Sequence, residues 1–133
     1  MDDADRSLLR ELRTALLHLH KTLIDWQRRE YELDHGAMPP MQLLQVIFSD
    51  EQFAWLRSMS GLIVRIDEAL DAKPPDMPAV GPLIMQAREL ASPQAGSAYA
   101  ERYHAALQEL PEAVLAHRDL VTLLKLHHPP ANA

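Results

Sequence analysis

Between Asp5 and about His35 the chain carries Leu9, Leu12, Leu16, Leu19, Leu23, Trp26, Glu30 and Leu33 at alternating spacings of three and four. Only a helix puts such a set on one side, as a heptad seam. Leu17, Ile24 and Tyr31 recur every seven residues beside it. The apolar face is therefore wider than a two-stranded coiled coil uses, which predicts a helix embedded among several neighbours. About 30 residues at 1.5 Å each make a rod of ~45 Å, long enough to be the spine of a small domain. His35-Gly36 is a stop signal, because glycine takes the left-handed cap conformation.

The remaining chain reads as shorter helices divided by breakers. Pro40 opens a short helix over residues 41–48, where proline suits the first turn. Ser49-Asp50-Glu51-Gln52 reads as a capping box, with Ser49 as N-cap and Gln52 at N3. The helix it starts carries Phe53, Leu56, Met59, Ile63, Ile66 and Leu70 on one face and ends near Ala72. Ser58, Ser60 and Gly61 weaken its middle or admit another backbone. Residues 73–82 hold four prolines and read as a linker. Val80, Leu83, Ile84, Ala87 and Leu90 mark a fourth helix, followed by a breaker over 92–97. A fifth helix is expected over 98–110, and Pro111 begins a sixth that runs to about Leu126. The expected architecture is all-α: an antiparallel bundle of four main helices plus one or two short ones. Residues 1–126 form one domain in this reading, and 127–133 form a flexible tail. Short Pro/Gly connections favour packing between sequential neighbours.

The stretches HKTLIDWQRREYE, QLLQVIFSDEQFAWLRSMSGLIVRIDEALD and YAERYHAALQELPEAVLAH together resemble a family of small, uncharacterised bacterial helical proteins. The resemblance implies a bacterial cytosolic protein of unassigned function. It carries no catalytic residues over to this chain.

Charge and composition exclude several classes. The formal charge is −6, and basic residues alternate with acids, as in Asp25, Arg28, Arg29, Glu30 and Glu32. A nucleic-acid binder needs a basic stripe, so that partner is not expected. The absence of cysteine removes disulfide, thiolate and zinc–thiolate chemistry and fits a reducing compartment. The polar N-terminus MDDADRS is unlike a secretory leader. No apolar run approaches the ~20 residues of a membrane span, so the cytoplasm is the expected location. Four glycines and no phosphate-loop spacing argue against a nucleotide fold.

Five polar residues are not explained by patterning. His20 has Leu16, Leu17, Leu23 and Ile24 as its helical neighbours. Gln27, Glu30 and Tyr31 continue this polar inlay, and Glu30 stands in a seam position otherwise held by Leu or Trp. A buried carboxylate is costly unless paired, which predicts a basic partner such as Arg65 or another from a neighbouring helix. His117 repeats the oddity among Ala113, Val114, Leu120 and Val121. Burial lowers a histidine pKa towards neutral imidazole, the form that binds metals. The plainer reading is packing: each ring donates to a carbonyl or carboxylate, and Glu30 and Tyr31 act as a lock on helix register. Two Glu-x-x-His pairs, Glu32/His35 and Glu101/His104, match the di-iron pattern, but the first lies on the outward face and the second is peripheral.

Two functions fit. One is a non-enzymatic helical module that self-associates, as a homodimer, or binds a protein partner. Its motive is apolar surface, above all the helix of residues 41–48, which is apolar nearly all round. The other is a small-ligand or metal-binding bundle with a core pocket lined by His20, Gln27, Glu30, Tyr31 and His117. The sequence favours the first. It shows no catalytic set, no metal-ligand set and no cofactor motif.

Overall fold

A computed structural model describes residues 3–73 and 80–126. Its longest element is α1 (Asp3–His35), followed by α2 (Pro40–Ser49), α3 (Arg57–Asp71), α4 (Gly81–Ala91), α5 (Ala98–Glu109) and α6 (Pro111–Leu126). A 3₁₀ segment, Glu51–Leu56, joins α2 to α3, and there is no strand among the described residues. The proline linker expected over 73–82 lies mostly outside the described residues, as does the tail at 127–133. None of the described helices is long and apolar enough to cross a membrane.

The seam of α1 behaves as its spacing demands for five turns. Leu9, Leu12, Leu16, Leu19 and Leu23 are fully buried, and Trp26 nearly so. Each such leucine contributes about 1.5–3 kcal/mol by leaving water. Several elements cover this helix: α3, α5, α6 and the 3₁₀ segment all pack on it. That is the embedding a wide apolar face requires. The core is completed by Phe53, Leu56, Met59, Leu62 and Ile66 from the following segment, and by Tyr103, Ala106, Ala113, Ala116 and Leu120 from the last two helices. The last helix packs on α1 and contributes the buried alanines Ala113 and Ala116. Packing between sequential neighbours holds for α3 with α4 and α5 with α6, but α1 and α2 do not pack together, nor do α4 and α5. Instead α4 leans on α3 and α6.

Three local expectations are corrected. Leu33, the last seam position, is 85% exposed, and Leu17 of the second stripe is also exposed. Because α2 leaves the end of α1 uncovered, no element is present to bury Leu33. Asp50, not Ser49, is the cap: its carboxylate accepts from the Gln52 amide at 2.9 Å. Ser49 is still inside α2, so its hydroxyl donates back to the Gln45 carbonyl at 2.7 Å. Gly61 marks no close approach, since a methyl group there would meet nothing within 4 Å. Gly36 does what its position predicts, closing α1 at φ +80° with its amide on the Glu32 carbonyl.

Candidate functional site

The polar inlay of α1 meets the 3₁₀ segment and α5 at one end of the molecule. Gln27 is only 3% exposed, and among the described residues it is the one polar, non-aromatic side chain in the buried set. Its Oε1 accepts from the Trp55 indole nitrogen at 2.8 Å and from Arg102 Nη2 at 2.9 Å. The same guanidinium nitrogen donates to Glu30. The basic partner expected for Glu30 is therefore Arg102 of α5, not Arg65. The guanidinium also lies over the Trp26 ring, 4.4 Å from its centroid, in cation–π contact. Trp26 donates its own indole proton to Glu109 Oε2 at 2.5 Å and meets Trp55 edge to face. Among the described residues no fully buried side-chain nitrogen or oxygen is left without a partner, which is what makes burial of this cluster affordable in free energy.

These side chains form the floor and walls of an open cleft of about 740 Å³. Its lining comes from the last turns of α1 (Gln27, Glu30, Leu33, Asp34), the 3₁₀ segment (Glu51, Gln52, Ala54, Trp55) and the start of α5 (Ala98, Tyr99, Arg102). A volume of this size is within the usual range for small-molecule sites, roughly 300–1,000 Å³. The cleft exists because the 3₁₀ segment and α5 flank α1 here while α2 turns away.

The five residues singled out in sequence divide between this cleft and other contacts. Gln27 and Glu30 line it together. Tyr31 is buried nearby, stacked on His35 at 4.0 Å and tilted against Phe53, but does not line it. His20 reaches α3 instead: its Nε2 is 2.7 Å from the Ser60 hydroxyl, which itself donates to the Leu56 carbonyl. Burial holds the His20 pKa below the ordinary imidazole value, an effect partly offset by the Leu56 backbone. His117 reaches α5, with Nδ1 2.7 Å from the Tyr103 hydroxyl. Its pKa is lowered by burial and by the neighbouring His104. The Tyr103 phenol is raised by burial, so it stays protonated and donates to the neutral ring. Tyr99 is raised likewise by burial and by Tyr103, and donates to the Leu90 carbonyl at 2.7 Å. Each histidine is thus held by a hydroxyl on a different helix.

Among the described residues no three of His, Asp and Glu converge as a metal ion would require. Of the di-iron pairs, Glu32 is engaged by Arg28 and His35 by the Tyr31 carbonyl.

Arg102, Trp55 and Tyr99 were missed in the sequence. Arg102 did leave a signal: its helical neighbours Ala98, Tyr99, Ala105 and Ala106 are small or aromatic, so a cation there faces a packed side. Nothing in the periodicity of residues 51–56 announces Trp55 as a cleft wall. No family model, no curated protein and no solved structure matches this chain.

Proposed function

We propose that this chain is a non-enzymatic helical module that acts by docking against another protein surface, a second copy of itself in the first instance. The observation that carries the reading is the outer face of α2. Met41, Leu44 and Phe48 follow one another at spacings of three and four, so they share one stripe. Met41 is 73% and Phe48 72% exposed. The inner face, Leu43 with Val46 and Ile47, packs into the core. Among the described elements α2 packs only on the 3₁₀ segment. A helix that is apolar on both sides and covered on one leaves a surface suited to a partner. In this reading the helices form an antiparallel bundle about α1, and the cysteine-free, acidic chain works in the cytoplasm without binding nucleic acid.

Sedimentation equilibrium of the wild type and of a Met41→Glu/Phe48→Glu variant tests it. The expected result is a concentration-dependent dimer that the variant loses while its helical content and Tm hold. A wild type that stays monomeric at high concentration overturns self-association.

A further inference from the structure

The cleft carries an inference separate from the α2 face. Two donors, the Trp55 indole and Arg102, fix the orientation of the Gln27 amide, since both need an acceptor and only Oε1 is one. Gln27 Nε2 must then point the other way, and it makes no hydrogen bond to the described protein. Among the described residues no fully buried side-chain nitrogen or oxygen lacks a partner, so this nitrogen opens onto the cleft that Gln27 lines. A donor of a side chain 97% withdrawn from water, at the bottom of a concave site, is what a ligand carbonyl oxygen recognises.

The walls and mouth set the rest of the ligand. Trp55 and Tyr99 both line the cleft, their ring centroids 5.9 Å apart and their planes tilted by 59°. Of the lining residues, Glu30, Asp34 and Glu51 are acids and Arg102 is the one cation. Glu30 is spent on Arg102, whereas Asp34 and Glu51 form no ion pair among the described residues. Both are exposed at the mouth. Free carboxylates beside aromatic faces favour a cation and repel an anion. A donor below and carboxylates above define a bifunctional ligand.

We propose that the cleft between α1, the 3₁₀ segment and α5 binds a small organic cation bearing a carbonyl group. The carbonyl accepts from the Gln27 amide, the body lies against Trp55 and Tyr99, and the guanidinium or amine sits at the Asp34 and Glu51 carboxylates.

The chain has two tryptophans, both in this cluster, so tryptophan fluorescence, excited selectively over the tyrosines, reports from this end of the molecule. The probes are argininamide, agmatine, which keeps both cationic groups but lacks the carbonyl, and acetate as an anion control. Argininamide should give a saturable fluorescence change. Agmatine should bind roughly five- to tenfold more weakly, the loss of one hydrogen bond. The Asp34→Asn/Glu51→Gln variant should weaken argininamide at least about fivefold by removing two attractive charges. Those side chains are exposed and form no ion pair among the described residues, so its Tm should not move. No saturable change with argininamide up to about 10 mM, a weak limit for a specific site, overturns the proposal. So does equal binding of argininamide and agmatine, an equal response to acetate, or a variant that binds argininamide as the wild type does.

Discussion

Replacing Gln27 with leucine removes the acceptor on which two elements converge while keeping a side chain of similar size. Two hydrogen bonds are lost, one from the neutral Trp55 indole and one from the Arg102 guanidinium. A neutral bond is worth about 0.5–1.5 kcal/mol net and one to a charged group about 1.5–3 kcal/mol. The charged loss belongs at the low end, because Arg102 keeps Glu30 and a third of its side chain stays in water. The indole makes no other hydrogen bond among the described residues, so its loss belongs at the high end. The leucine recovers part of this by burying an apolar surface in place of an amide, on the order of 1 kcal/mol. The net expectation is a destabilisation of about 1.5–3 kcal/mol, or about 5–10 °C in Tm for a domain of this size. Urea unfolding followed by far-UV circular dichroism measures it, with an unchanged m-value as the check that only stability moved. A double-mutant cycle with Arg102→Leu should return a coupling of about 0.5–2 kcal/mol. A Gln27→Leu cost under about 0.5 kcal/mol, or strict additivity with Arg102→Leu, would refute the claim that this amide ties α1 to the 3₁₀ segment and α5.

Two further outcomes are expected. Gly61 lies inside α3, exposed, with open space where a side chain would go; Gly61→Ala should therefore raise stability by about 0.5–1 kcal/mol through backbone entropy alone, and a loss in thermal unfolding would show a contact there. His20 and His117 are both held below the ordinary value of 6.5, so near pH 6 the unfolded chain binds more protons than the native one. Their contribution to stability is complete above about pH 6.5 and falls as the pH drops through their native values. Tm should decline as the pH falls from about 6.5 to about 5.5, and a His20→Gln/His117→Gln variant should flatten that decline; an unaltered slope would place the titration elsewhere.

The six helices were legible because their signals are local. Heptad spacing, proline at first turns and glycine after α1 act over a few residues, and each was decided in the same way by tertiary packing. The ends of α5 and α6 fell within a residue of expectation for that reason. What the spacing could not convey was cover. Leu33 and Leu19 occupy equivalent heptad positions, yet one is exposed and the other fully buried. The difference lies in which helix comes back to each level of α1, a choice made by α5 and α6 some 70 to 90 residues along the chain. Likewise the spacing singles out both histidines, but their hydroxyl partners, Ser60 and Tyr103, follow only from how the helices are placed.

The same consideration explains why the cleft lies where it does. A leucine at position 30 would have continued the seam towards Leu33 and invited a further helix onto it. A carboxylate there instead needs a cation, and the cation needs a surface on which to rest. Arg102 supplies the charge, Trp26 supplies the ring beneath it, and Gln27 takes the remaining proton of the same nitrogen. A planar guanidinium braced on three sides ties α5 to α1 by its edge rather than by interdigitated apolar chains. Such a contact holds two helices together without filling the space beside them. Polar pairing at this end of α1 therefore leaves an opening walled by Trp55 and Tyr99, whereas the leucine layers of the earlier turns close completely.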